Sequence, residues 1–167
     1  ELYSVGDFAM KILICLSFVG TRYAGFQVQP GKATIQSALQ DALCTVYGDR
    51  LPVKGCSRTD SGVHALEYFA TYETELPVPA ERIPFALNAA LPNDIAVRSA
   101  VIVPDSFHVR HDVIRKEYEY LLYNSLLRDP FLDGRAYRLP HMFGESEISR
   151  MRKAADMFAG EHDFIGF

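Results

Sequence analysis

The sequence predicts an α+β fold. A ferredoxin-like β-α-β-β-α-β domain with an antiparallel sheet occupies residues 10–105, and residues 106–167 begin a second, incomplete α/β domain. Three observations predict it. Two stretches with apolar residues at helical spacing lie among β-rich runs, in the order strand, helix, two strands, helix, strand. The two central strands are joined by a short turn rich in Asp, Ser and Gly, which suits an antiparallel connection. A further alternating run and a third helical period then follow, with no closing strand after them.

Each element has its own signal. Glu1 to Ala9 has no clear period and lacks an initiating Met, so it is set aside as a remnant outside the fold. Lys11–Gly20 is a β-rich run ending at glycine. Its apolar centre is too short to span a bilayer and continues into Thr21-Arg22-Tyr23 without a small-residue cleavage site, so a buried strand explains it better than a signal segment. A loop containing Gly25, Pro30 and Gly31 leads to Thr34, a good N-cap. Ile35, Ala38, Leu39, Ala42, Leu43 and Val46 then recur at helical spacing until Gly48 stops the pattern.

Leu51–Cys56 reads as a short strand, and Val63–Glu73 alternates with Leu66, Tyr68, Ala70 and Tyr72 on one face. Pro79 to Leu91 reads as a helix with Pro84 in its first turn, where the missing N–H is harmless. Ile95–Val103 completes the first domain and leaves one sheet face open to a ligand or a second layer. Beyond it, Arg115–Tyr123 alternates with Tyr118, Tyr120 and Leu122 on one side, where Tyr120 reads as core. Glu145 to Gly160 is predicted to be helical through Ile148, Met151, Ala154, Ala155 and Phe158.

Composition bounds the function. At 167 residues, 49% apolar and 23% charged, the chain has the makeup of a globular protein. A net charge of −4 argues against coating nucleic acid by bulk charge. The balance is +1 over residues 1–60 and −5 over 61–167, so an anion-binding surface would be assembled from dispersed arginines. Cys15, Cys44 and Cys56 are odd in number and form no CxxC pair, which supports neither a disulfide framework nor a zinc site and fits a reducing, cytoplasmic setting.

The chemistry concentrates in Gly55-Cys56-Ser57-Arg58-Thr59-Asp60-Ser61-Gly62-Val63-His64-Ala65, where an Arg and an Asp two residues apart sit in a tight turn between two strands. Opposite charges this close favour the ionised carboxylate, and a Ser-Gly pair lets the backbone turn sharply enough to expose it. Asp-Ser-Gly is also ordinary turn chemistry, so this segment alone leaves a purely structural turn open.

Other segments bear on the choice. Tyr23-Ala24-Gly25-Phe26-Gln27-Val28-Gln29, Thr34-Ile35-Gln36, Leu87-Asn88 with Leu91-Pro92-Asn93-Asp94-Ile95, Phe107-His108-Val109-Arg110, Lys116-Glu117-Tyr118-Glu119-Tyr120, Asp129-Pro130-Phe131 and Gly160-Glu161-His162-Asp163-Phe164 stand in order around Arg58-Thr59-Asp60-Ser61-Gly62-Val63-His64-Ala65. Together, over nearly the whole chain from Met10, they resemble the tRNA pseudouridine synthase A family.

The resemblance implies a pseudouridine synthase fold and isomerisation of uridine to pseudouridine in the anticodon stem-loop of tRNA, without metal or organic cofactor. It implies Asp60 as the catalytic residue, Arg58 as the side chain that extrudes the target nucleotide or holds its phosphate and pairs with Asp60, and Tyr118 as the ring against the flipped uracil. Arg110, Gln27 and His64 become candidate RNA or turn-supporting residues, as do His108 and Gln29. It also implies a homodimer for the full-length family.

The chain departs from the family pattern at Cys56-Ser57, where a small residue and Gly are common, at Glu67-Tyr68, where Gly-Gln is common, and at Glu119, where a basic residue is frequent. Family members also continue well beyond the Gly160–Phe164 segment. Two other readings are distinguishable: a non-catalytic RNA-binding module of the same fold, and a metal-dependent hydrolase using Asp60, His64 and His108. A Cys56–His64 hydrolase is disfavoured, since a cysteine directly after a strand in apolar company is usually inert.

Overall fold

The computed structural model describes residues 9–163, 165 and 166. The reading of residues 1–8 as a remnant and the Phe164 of the last motif lie outside the described residues. The chain divides into two compact units, Glu1–Lys116 and Glu117–Phe167. Among the described residues no helix is long and apolar enough to cross a membrane.

In the first unit the chain runs β1 (Met10–Phe18), α1 (Ile35–Tyr47), β2 (Lys54–Gly55), β3 (Ala65–Thr74), α2 (Ile83–Ala90) and β4 (Ile95–Val103). The four strands form one sheet in the order β2-β3-β1-β4, every neighbouring pair antiparallel. This is the predicted β-α-β-β-α-β arrangement. Along β1, Ile12, Ile14, Leu16 and Phe18 point to one face and are buried with Tyr68, Ala70 and Tyr72 of β3. They share one core with Ile35, Leu39 and Leu43 of α1 and Ile83 and Leu87 of α2.

The caps explain where α1 begins and ends. The Thr34 hydroxyl accepts the Ser37 N–H at 3.2 Å, and the Ser37 hydroxyl accepts the Thr34 N–H at 3.2 Å. Gly48 stops the helix in the left-handed region, its N–H on the Cys44 carbonyl at 2.9 Å. Pro84 stands in the first turn of α2, as its ring requires.

Two strand expectations are corrected. Of the Leu51–Cys56 run only Lys54–Gly55 forms a strand beside β3. Leu66 does not join Tyr68, Ala70 and Tyr72: the register changes between Leu16↔Tyr68 and Phe18↔Ala65, and this bulge at the start of β3 leaves Leu66 75% exposed.

In the second unit, β5 (Leu122–Asn124) and β6 (Tyr137–Leu139) form a parallel pair, and α3 covers Glu145–Asp156. Asn124 ties this unit together, accepting the Phe143 N–H at 2.7 Å and donating to the carbonyls of Leu139 and His141. The strand predicted over Arg115–Tyr123 forms only at Leu122–Asn124, because no neighbouring strand pairs with 115–121 among the described residues and alternation alone makes no ladder. Tyr120 is therefore not core but 88% exposed. Helix α3 ends before Gly160 because Met157, Phe158 and Ala159 each donate three residues back, tightening the last turn, and Gly160 takes a positive φ of 104°.

Candidate active site

The Arg58–Asp60 turn joins β2 to β3 and is fixed from outside by its neighbours. The ladder extends one step past β2, with the Cys56 N–H on the Phe69 carbonyl at 2.9 Å, and the Val63 N–H closes the turn on the Asp60 carbonyl at 3.3 Å. Gly62 supplies the positive φ (81°) this reversal needs. The loop after β1 grips the turn from the other side. The Phe26 N–H donates to Thr59 Oγ1 at 2.9 Å, and the Tyr23 carbonyl accepts both the Gly62 N–H at 3.1 Å and the Ser61 hydroxyl at 3.3 Å.

Two glycines make that grip possible. A Cβ on Gly20 would lie 1.9 Å from the Val63 carbonyl oxygen, and one on Gly25, at φ 87°, would lie 2.2 Å from the Thr59 carbonyl oxygen. Any side chain at either position would push the loop off the turn. The buried Tyr68 hydroxyl adds a further anchor, bonding the Ser57 carbonyl and its N–H, and burial drives its phenol well up from the ordinary value.

With the backbone held, the Arg58 and Asp60 side chains face solvent across an open cleft of about 400 Å³ lined by Gln27, Val28, Gln29, Arg58, Thr59 and Asp60. The ion pair expected between Arg58 and Asp60 is not made, and both side chains remain available to a ligand. A smaller hollow of about 90 Å³ shares Arg58 and Gln27 with the cleft and adds Arg110 and Lys54. Three cations thus line it, a local positive field in a chain of net charge −4. Arg110 is oriented there by its Nε–H on the Gly55 carbonyl at 3.2 Å.

His64 accepts the Gly20 N–H on Nδ1 at 3.0 Å, a role supporting the turn. Gln29 donates to the Ala24 carbonyl at 2.7 Å and so braces its own loop, whereas the Gln27 side chain is exposed at the cleft. His108 accepts the Arg110 N–H, and its ring lies tilted against that of His111, centroids 4.1 Å apart. Asp60, His64 and His108 do not assemble as a ligand set: no three His, Cys, Asp or Glu side chains converge as a cation site among the described residues.

The structure therefore brings Asp60, Arg58, Gln27, Arg110 and His64 to one turn and its rim. Tyr118 belongs to the second unit, in the irregular stretch before β5, and its ring is 76% exposed. Sequence reasoning missed Lys54, Thr59 and the pair Tyr23 and Asp94. The last three lie inside segments that carry the family resemblance, but the contacts that give them a role join parts of the chain far apart in sequence.

Fold and turn together agree with the comparisons. The chain matches the tRNA pseudouridine synthase family over residues 14–112, from β1 past β4 and including the whole turn, and it belongs to that family. It is 43% identical to tRNA pseudouridine synthase A of Bacillus subtilis over 160 residues, covering 95% of this chain and 64% of that protein. The corresponding enzymes of Caldicellulosiruptor saccharolyticus and Geotalea uraniireducens are 39% and 41% identical over 157 residues, 94% of this chain and 63% of theirs. The chain spans less than two thirds of the length of these relatives.

Proposed function

We propose that this chain carries the catalytic turn of a tRNA pseudouridine synthase and that Asp60 is the acting carboxylate. Pseudouridine is an isomer of uridine: the N1–C1′ bond breaks, the base turns, a C1′–C5 bond forms, C5 loses a proton and N1 gains one. A carboxylate starts this by attacking C1′ or by taking the C2′ proton to give a glycal, and it then assists deprotonation at C5. The observation that carries the reading is Asp60 itself, an exposed carboxylate on a backbone fixed by five separate neighbours, Tyr23, Phe26, Gly20, Tyr68 and Phe69, in a cleft of a size suited to one extruded nucleotide.

In this reading Arg58, Lys54 and Arg110 hold phosphates along the strand, Gln27 meets the nucleotide in the cleft, and His64 keeps the turn in place. Tyr118 is the ring that stacks on the extruded uracil, a contact worth roughly 1–3 kcal/mol. The substrate is an anticodon stem-loop of tRNA, the setting is the cytoplasm, and the homodimer expected of the full-length family is one that sedimentation of the full-length protein would measure.

The test separates an enzyme from an RNA-binding module. Nucleoside analysis of tRNA incubated with the chain should show new pseudouridine, and Asp60→Asn should abolish it while leaving tRNA affinity within about twofold, since phosphate contacts dominate binding. Binding without conversion by the parent would favour the non-catalytic module.

A further inference from the structure

Asp94, in the turn between α2 and β4, has no part in the chemistry above, yet it is heavily bonded. Its Oδ2 accepts from Arg22 Nε at 2.9 Å and Nη2 at 2.7 Å, and its Oδ1 accepts from the Tyr23 hydroxyl at 2.8 Å. Its own carbonyl accepts the Val19 N–H at 2.8 Å, which closes the end of β1 onto the same turn. The ring of Tyr23 is buried, so its hydroxyl needs this acceptor.

Tyr23 works in two directions. Its hydroxyl reaches Asp94, while its carbonyl holds Ser61 and Gly62, the two residues that follow Asp60. We propose that Asp94 is a positioning residue for the Asp60 turn, acting through Tyr23 and Arg22 to set the carbonyl on which Ser61 and Gly62 hang. The proposal rests on the reading of Asp60 as the acting carboxylate.

The geometry favours this over a simple surface tie. Residues 20–26 contact the turn at four places: Gly20 on His64, Tyr23 on Ser61 and Gly62, Gly25 against Thr59, and Phe26 on Thr59. Asp94 fixes the middle of that segment with two guanidinium N–H bonds on Oδ2 and a phenol bond on Oδ1. A neutral amide can accept on only one of them and carries no charge for the guanidinium, so the carboxylate makes the stronger tie. Burial pushes the Asp94 carboxyl up, but the Tyr23 hydroxyl and the Arg22 guanidinium outweigh it and hold the group below its ordinary range, in keeping with a permanent anion.

The test uses the whole chain with Tyr23→Phe, which keeps the ring and the backbone carbonyl, and Asp94→Asn. Amide hydrogen exchange is read at Gly62 and at core positions of β1 and β3 such as Ile14 and Ala70. Steady-state kinetics on tRNA are read in parallel. Positioning predicts exchange at Gly62 faster by about tenfold with the core unchanged, and kcat lower by about ten- to hundredfold at an unchanged KM, the scale of a small misplacement of a reacting group.

Unchanged Gly62 exchange in both variants would overturn the proposal. So would acceleration that is equal at Gly62 and in the core, the mark of a tie that serves only stability. If the parent itself converts no uridine, the proposed function fails, and the exchange pattern alone still decides whether Asp94 holds the turn.

Discussion

Asp60 combines an exposed side chain with a fixed backbone, and that contrast sets what substitutions there do. Nothing in the core leans on its carboxylate, so Asp60→Ala should change folding stability by no more than about 0.5 kcal/mol, measured by denaturant unfolding. A large loss would mean that the group is structural. Tyr23 and Asp94 behave differently, because their charges and protons are tied to the fold. Burial and the Asp94 carboxylate push the Tyr23 phenol from 10.0 up to about 12. A group raised on folding contributes stability that is complete below its unfolded value and lost as pH rises through its folded one, so part of the stability should fade between pH 10 and 12. Asp94 is lowered instead, so its contribution is complete above the ordinary value of 3.8 and is lost as pH falls below it. Unfolding midpoints across pH should show Tyr23→Phe losing less than the parent on the alkaline side and Asp94→Asn losing less on the acid side. Parallel profiles for parent and variants would contradict the network.

At the scale of elements, the loop after β1 matters as much as the turn it holds. Gly25→Ala places a Cβ 2.2 Å from the Thr59 carbonyl at a φ of 87°, so the substitution should cost about 1–3 kcal/mol or more and lower turnover as the loop pulls away. A variant as stable and as active as the parent would show that the loop does not press on the turn. Elements whose signals are local were legible in sequence: α1 from Thr34 and Gly48, α2 from the place of Pro84, β4 at its observed ends. Elements that depend on a partner were not. Leu66 alternates correctly but leaves the core face at a bulge, and 115–121 alternates without a strand beside it. The site divides the same way. Arg58 and Asp60 were visible because they stand two positions apart in the chain, whereas the link from Asp94 through Tyr23 to Gly62 joins positions about 70 and 40 residues apart and exists only once β1, β3 and β4 have met.

Across the whole chain, the buried core lies in the first unit, and no described residue of the second unit is buried. The first unit therefore supplies the cooperative hydrophobic stabilisation, while the second is held by hydrogen bonds such as those of Asn124. Amide exchange should find strong protection in β1 and β3 and little in α3; equal protection in α3 would contradict this division. The Asp60 turn sits on the well-packed unit, which gives its carboxylate the rigid support that the proposed chemistry at a ribose requires. Its role is most directly tested by tritium release from tRNA labelled at C5 of uridine, with the parent chain and Asp60→Asn side by side. Release by the parent and none by the variant is the predicted result, because in the proposed chemistry the carboxylate at position 60 begins the exchange of N1 for C5. Equal release by both would contradict the assignment of Asp60 and with it the account of how this turn works.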